Sequence, residues 1–498
     1  MAKRADKRAG RLVIVSNRLP VVLRKRGGKW NAEPGSGGLV TALLPVLRDR
    51  GGIWIGWPGL TEQQAGADFE DVLAEASRSA GYQLVPVLLS EEEREGFYLG
   101  FSNEIVWPLF HDLQVLCNFD PSYWRIYRHV NDKFAEVLAA HCHNEDYIWV
   151  HDYHLMTVSE RLRERGIEGS IAFFLHTPFP PLDVFLKLPW RVQVLRGLLN
   201  YSLIGLQTLR DRRNLVQCVE NLVTDATVEG DGEVITVRLS GRDVRVGVFP
   251  ISIDFDDFAK RAARSPVEKK VKAIREDIPG RKIILGVDRL DYTKGIPYRL
   301  RSFQNALERY PDLHNAVSFV QIIVPSRENI PRYSELKTEI DQLVGEINGK
   351  YTQSGWVPVL YLFRSLTQTE LLAYYRACEI ALITPLKDGM NLVAKEYCAS
   401  TIDENGVLIL SEFAGAAGQM KDDALLVNPY DIEGVADAIH QAFTMDRGEK
   451  RRRMKKLRQG VKEQNIFAWV DGMLRAGISK ELKNFPVLQD YLPQIEIS

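Results

Sequence analysis

Two segments in the C-terminal half place charged side chains where an apolar strand run gives way to a loop and a helix. TPLKDGMNLVAKE, Thr384 to Glu396, follows the apolar run Ile380–Ile383. Pro385 and Gly389 favour a turn, Asn391 is suited to cap a helix, and Leu392 to Tyr397 read as its first turns. Free backbone N–H groups and the positive end of the helix dipole then face any phosphate held at that start. Asp388 lies in the loop and Glu396 one turn beyond Leu392, so one carboxylate suits sugar hydroxyls and the other a ribose diol. Taken alone, these residues fit an ordinary strand-loop-helix junction equally well. The second segment, GVDRLDYTKG from Gly286 to Gly295, ends the apolar run Ile283–Val287. Arg289 and Lys294 lie five apart across a turn, where a planar fork and a compact point charge can reach one diphosphate.

The N-terminal half repeats the pattern of polar groups at strand ends. Ser16-Asn17-Arg18 closes the first apolar run, and Gly35 to Leu39 (GSGGL) precedes an apolar helical stretch, where Gly37 and Gly38 permit close backbone approach to a ligand. His151-Asp152-Tyr153-His154 and His176-Thr177-Pro178 each follow a strand run. With His141 and His143, the first cluster admits a rival reading as ligands of a metal-dependent hydrolase. Spacing argues against it: no helical HExxH pair exists, and His151 and Asp152 point to opposite faces of an ending strand.

Parallel sheets with crossover helices would position these groups. Strand-like runs recur at Leu12–Val15, Ile53–Ile55, Leu84–Leu89, Tyr147–Val150, Ile171–Leu175 and Leu203–Leu206, separated by stretches of helical spacing such as Trp124 to Ala140 and Pro189 to Asn200. A turn-rich patch, VEGDGE from Val228 to Glu233, breaks the pattern before a last run, Val244–Ile251. A second series follows at Ile283–Val287, Phe319–Val324, Val357–Leu362, Ile380–Ile383, Val407–Leu410 and Leu425–Val427, and Thr367 to Glu370 has the form of a capping box. The expected architecture is α/β, with two Rossmann-like doubly wound domains facing a ligand crevice. Residues 1–245 are expected to form the first domain and 246–475 the second, followed by a C-terminal segment, 476–498.

Composition agrees with that size and narrows the partners. A chain of 498 residues, 45% apolar, exceeds what one core organises, since single cores stop growing near roughly 250–300 residues. A net charge of −1 gives no global pull toward nucleic acid or a membrane surface, which leaves a small molecule as the expected partner. No run approaches the ~18 apolar residues of a membrane span. Five scattered cysteines without a CxxC pair suit neither a disulfide framework nor a zinc knuckle, and point to a reducing cytoplasm. The basic opening MAKRADKRAGR and the run GEKRRRMKKLR (448–458) read as solvated charge.

Taken in order, SNRLP, GSGGL, GFSNEIVWPLFH, WVHDYHL, FFLHTPFP, VDRLDYTKG, VPSRENIP, INGKYTQSGWVPV, TPLKDGMNLVAKEY and LSEFAGAA resemble the trehalose-6-phosphate synthase family of retaining glycosyltransferases, from about Arg11 to Phe443. The resemblance implies a GT-B fold, with the C-terminal segment 476–498 packing back on the first domain, and transfer of glucose from UDP-glucose to glucose 6-phosphate, giving α,α-trehalose 6-phosphate and UDP. Carried over by position, it implies a donor site at Gly37, Gly38, Arg289, Lys294, Asp388, Leu392, Val393 and Glu396. It implies an acceptor site at Arg18, Trp57, Tyr98, Trp107, Asp152 and Arg327, with Arg18, Tyr98 and Arg327 clamping the 6-phosphate. The catalytic set implied is Asp152, His176, Arg289, Lys294 and Asp388. No metal or other cofactor is expected, and homo-oligomerisation is left open.

Three positions depart from the family pattern: Lys387 where Arg is usual, Ser252 for Gly, and Gly35 where Ser is common. A relative using another phosphorylated acceptor, such as glycerol 3-phosphate, is the alternative enzyme. A non-catalytic regulatory homologue is the alternative from another class, disfavoured because Arg289, Lys294, Asp388 and Glu396 are all present. The sequence carries no phosphatase motif of the DxDx(T/V) type after the second domain, so dephosphorylation of the product is expected of a separate phosphatase.

Overall fold

A computed structural model describes residues 10–478 apart from 27–28, 36–39, 41–42, 45–46, 48–51, 67 and 328–329. The chain divides after Pro250 into two compact units. Unit 1 also takes in the described residues from Trp469 onward, and unit 2 runs Ile251–Ala468.

The strands of unit 1 are β1 (Leu12–Arg18), β2 (Val21–Arg26), β3 (Lys29–Pro34), β4 (Gly52–Trp57), β5 (Gln83–Pro86), β6 (Tyr147–His151), β7 (Ile171–Phe174), β8 (Leu203–Leu206), β9 (Thr227–Glu229), β10 (Val234–Leu239) and β11 (Arg242–Val248). β2 and β3 pair as a separate hairpin, and the rest form one sheet in the order β5-β4-β1-β6-β7-β8-β11-β10-β9. Pairing is parallel from β5 through β11. β10 and β9 extend that edge antiparallel. The VEGDGE patch, read from sequence as a break before the unit's end, is instead the turn region of this antiparallel extension. Arg238 answers Glu229 and Asp243 across it with a salt bridge to each, the kind of cross-strand pairing that lets a polar stretch hold as strand.

Unit 2 is a wholly parallel sheet of β12 (Lys282–Arg289), β13 (Val317–Val324), β14 (Val359–Phe363), β15 (Ile380–Ile383), β16 (Val407–Ser411) and β17 (Leu425–Val427). Its order is β14-β13-β12-β15-β16-β17. Such a sheet carries helices on both faces, which explains continuous apolar strands such as VSFVQIIV rather than alternating ones. Thr367 and Glu370 make the expected capping box, starting the helix Gln368–Ala377.

The parallel part of each sheet reverses winding direction once, at β1/β6 in unit 1 and at β12/β15 in unit 2. At such a switch point the connections leave on opposite faces and open a crevice beyond the carboxyl ends of the strands. Arg18 and Asp152 sit at one switch point, and Arg289 and the Thr384–Asn391 loop at the other. No helix among the described residues is long and apolar enough to cross a membrane.

Candidate active site

In unit 1 the site grows from a bulge. Between Ser16 and Arg18 the β1/β4 register slips, which re-aims the side chain after it. The Arg18 guanidinium lies 4.4 Å from the centre of the Trp57 ring. Gly59, at φ +91°, makes room for it, because a Cβ there would stand 2.2 Å from Arg18 Nη1. The Trp57 ring meets Tyr98 edge-on at 5.5 Å.

Tyr98 belongs to a π-helix, Arg94–Val106. That geometry is rare and occurs mostly as single turns at functional sites. Asn103 holds it by donating from Nδ2 to the Tyr98 carbonyl at 2.6 Å. From Tyr98 the contacts run on through His154, stacked at 6.1 Å, to Asp152, whose Oδ2 is 4.0 Å from His154 Nδ1. Asp152 adopts φ 74°, a conformation uncommon outside glycine that marks local strain. Its Oδ1 accepts the His176 N–H at 3.2 Å, and its own N–H donates to the Phe174 carbonyl at 2.8 Å. Trp107 is buried, its ring against His111 and Tyr153. Gly37 and Gly38 lie outside the described residues.

In unit 2 the two loops read from sequence meet. Lys294 Nζ lies 2.6 Å from Asp388 Oδ2, which also accepts from Asn391 Nδ2 at 3.1 Å. Gly295, at φ +64°, closes the Lys294 loop so tightly that a Cβ would stand 2.7 Å from the Thr384 carbonyl. Leu386 N–H donates to the Thr293 carbonyl at 2.8 Å. Beneath them Arg299 is fully buried, donating from Nε to Thr384 Oγ1 at 3.0 Å, from Nη1 to Asp288 and to Gln321 Oε1, and from Nη2 to the Lys294 carbonyl. Arg289 is exposed, with no hydrogen bond or ion pair among the described residues.

Asn391 caps the helix Leu392–Ser400 as expected, its Oδ1 accepting the Ala394 N–H at 3.1 Å. The Leu392 and Val393 N–H groups are then the orphan donors of that helix start. Two turns of loop lace the site to the segment after β16: Asp388 N–H reaches the Phe413 carbonyl, and Gly415 and Ala416 N–H groups reach the Asp388 and Met390 carbonyls. Glu396 accepts from the Tyr375 hydroxyl at 2.9 Å, and burial pushes its carboxyl up to about 7.

Arg327 also belongs to unit 2. It stands at φ 52°, with Nη1 donating to the Tyr333 hydroxyl at 2.7 Å and facing Asp291 Oδ2 at 3.5 Å. Within the units, Arg18 and Tyr98 are thus brought together, while Arg327 lies beside the Arg289–Lys294 loop.

A family model described as glycosyltransferase family 20 matches residues 10–476. The chain belongs to that family. Among relatives of this family 20 chain is the trehalose-6-phosphate synthase of Mycolicibacterium vanbaalenii, 41% identical across 94% of this chain and 96% of its own. The UDP-forming α,α-trehalose-phosphate synthase A of Dictyostelium discoideum is 39% identical over 94% of this chain, which spans only 62% of that protein. The same share holds for a bifunctional synthase/phosphatase of Thermoproteus tenax. Among solved structures, a UDP-forming synthase from Burkholderia xenovorans in complex with glucose-6-phosphate has TM-score 0.83 and 34% identity, covering 94% of this chain and 99% of that one. An E. coli structure bound with UDP-2-fluoro glucose has TM-score 0.84 and 35% identity, over 93% of this chain and 98% of that one. The GT-B fold expected from sequence is thus the fold of this family 20 chain.

Several residues beside the candidate site were not singled out in the sequence. Asp291 is buried and, against the opposing effect of burial, is held below the usual carboxylate range by Arg327, Lys294 and Arg289. Arg299 lies four residues beyond GVDRLDYTKG, in the helix Ile296–Arg309 and outside every motif read from the sequence. Asn17, inside the SNRLP motif, is buried, and its Oδ1 finds no partner among the described residues. Of the departures, Ser252 is fully buried with its hydroxyl unpartnered among the described residues, and Lys387 is half-buried in its loop.

Proposed function

We propose that the chain transfers glucose from UDP-glucose to glucose 6-phosphate with retention, releasing UDP and α,α-trehalose 6-phosphate. The observation that carries this is the meeting of Lys294 and Asp388 at 2.6 Å, beside Arg289 and at the start of a capped helix. Two cations and free N–H groups suit a diphosphate, and the adjoining carboxylate suits the sugar attached to it. Glu396 takes the ribose hydroxyls, and Gly37, Gly38, Leu392 and Val393 supply backbone contacts to the donor. Arg18, Tyr98 and Arg327 hold the acceptor's 6-phosphate, and Trp57, Trp107 and Asp152 its sugar. His176 contacts the transferred glucose. Charge-assisted hydrogen bonds are each worth about 1.5–3 kcal/mol, enough for the phosphate clamp to favour the sugar phosphate over the free sugar.

The step forms a bond between the acceptor's anomeric oxygen and the donor's anomeric carbon, on the face from which UDP departs. The bond from that carbon to the diphosphate oxygen breaks, and its electron pair leaves with UDP. The acceptor's hydroxyl proton passes to the departing phosphate oxygen, so no side-chain nucleophile is required. Arg289, Lys294 and the helix start meet the growing charge as preorganised electrostatic stabilisation, and the reading calls for no metal or other cofactor. The synthases named above, and the glucose-6-phosphate and UDP-2-fluoro glucose held by two of the similar structures, support these substrates. The five unpaired cysteines support a cytoplasmic setting. Proton NMR of the product made from UDP-glucose and glucose 6-phosphate tests the reading. One linkage joining two α-anomeric centres, seen as two α-anomeric protons, is expected, and a β centre on the transferred glucose or the absence of such a product would overturn it.

A further inference from the structure

Behind Asp152 lies a second histidine that the proposed chemistry does not use. His151, the last residue of β6, is fully buried, with Nδ1 3.1 Å from His176 Nε2. Its ring packs on Trp149 at 4.9 Å and Trp469 at 6.3 Å, and the two indoles lie 4.9 Å apart. A hydrogen bond between two ring nitrogens needs one donor and one acceptor, and a neutral imidazole carries one of each. Burial depresses both histidines, His151 well below the ordinary value and His176 to about 3, so both are neutral.

Two arrangements remain, and the surroundings of His151 separate them. If His176 donated, the proton of His151 would sit on Nε2, which is buried without a partner among the described residues. Trp149 Nε1 and Trp469 Nε1 are also buried and unpartnered among the described residues, and an indole nitrogen can only donate. A third stranded N–H would then join two others in the same apolar site, and orphaned buried N–H groups are the rarest kind. If His151 donates instead, its Nε2 is left as a bare lone pair, an unmet acceptor rather than a third stranded N–H, and unmet acceptors are the commoner of the two in folded proteins. His176 is then left with its proton on Nδ1, which has no partner among the described residues.

We propose that His151 is a positioning residue: it donates from Nδ1 to His176 Nε2 and so fixes His176 as an Nδ1–H donor toward an oxygen of the bound sugar. The kinetic consequence rests on the reading of His176 as a sugar contact, whereas the tautomer does not. His176 then serves as a neutral hydrogen-bond donor and not as a base.

The test is 15N NMR of the full chain carrying labelled histidine, with His176 assigned by its loss in His176→Gln. The wild type is expected to show His176 protonated on Nδ1 and unchanged between pH 6 and 8, values chosen about the unperturbed histidine value. His151→Phe keeps a ring but no donor, and should move His176 to the Nε2–H form. His151→Asn places an amide N–H near the lost Nδ1 and should restore the Nδ1–H form. In turnover, His151→Phe should lower kcat about tenfold, the loss of one hydrogen bond's worth of barrier, and His151→Asn should recover it. An Nε2–H signal in the wild type, or no change in His151→Phe, would overturn the proposal. If His151→Phe does not fold, the wild-type spectrum and the His151→Asn spectrum decide, each having to show Nδ1–H. Correct tautomers without turnover of UDP-glucose would refute the proposed function and leave this inference standing.

Discussion

Lys294 Nζ and Asp388 Oδ2, from loops that follow β12 and β15, stand 2.6 Å apart although 94 residues separate them in the chain. The pair joins the two sides of the unit 2 switch point and places a cation and a carboxylate where phosphate and sugar of one donor would adjoin. Removing Lys294 as Lys294→Ala strips the leaving group of a charge partner. A fall in kcat of about 100- to 1,000-fold is expected, the range seen when one preorganised donor is removed. UDP affinity by calorimetry should weaken as well. Unchanged kcat in Lys294→Ala would remove this residue from the reacting set.

Arg299 holds that arrangement from below. It is fully buried against a buried Asp288 and bonds Thr384 and the Lys294 carbonyl, one from each loop. Arg299→Met leaves Asp288 as an unpaired buried charge, with an expected cost of about 3–5 kcal/mol in urea unfolding. The double change Arg299→Met with Asp288→Leu should regain part of that stability while kcat stays low, because the loops still lack their common anchor. Recovery of both together would show Arg299 to serve stability alone.

Glu396 and its neighbour Lys395 set opposite pH dependences. Burial pushes Glu396 up to about 7 and Lys395, whose Nζ donates to the Ile251 carbonyl at 2.8 Å, down to about 7. Unfolded reference values are about 4.3 and about 10.4. Between about 4.3 and 7 the folded chain keeps a Glu396 proton that the unfolded chain has lost, so this group's contribution to stability falls as pH rises. Between about 7 and 10.4 the unfolded chain holds a Lys395 proton that the folded chain lacks, so that contribution rises with pH. Urea midpoints across pH should lose the falling limb in Glu396→Gln and the rising limb in Lys395→Met. Ribose hydroxyls donate best to the ionised carboxylate, so UDP binding should strengthen as pH rises through about 7 in the wild type and stay flat in Glu396→Gln. Identical slopes in wild type and variant would contradict the assignment.

The polar strand ends, though not the strand order that makes two of them switch points, were legible because each is local: an apolar run stops, and polar residues with turn chemistry follow. The Asn391 cap and the Thr367–Glu370 capping box were legible for the same reason, being set within four residues. What joins distant segments was not. Nothing within TPLKDGMNL indicates that Asp388 pairs with Lys294, and nothing in the helix Ile296–Arg309 marks Arg299 as buried rather than solvated. The π-helix Arg94–Val106 breaks the 3.6-residue period on which helix reading rests, so its residues read only as a motif. The β9–β10 extension was hidden by its polar turn, since strand and loop differ there only in pairing partner. Arg327 could be assigned a ligand from its motif but not its neighbours, Asp291 and Tyr333.

UDP release, measured across a panel of nucleotide-glucose donors and phosphorylated acceptors without added metal, bears most directly on the proposed activity. Turnover should be fastest with UDP-glucose and glucose 6-phosphate, unaffected by EDTA, and abolished when Arg289→Ala and Lys294→Ala are combined. No UDP release from that pair of substrates, or release that the double variant leaves unchanged, would contradict it.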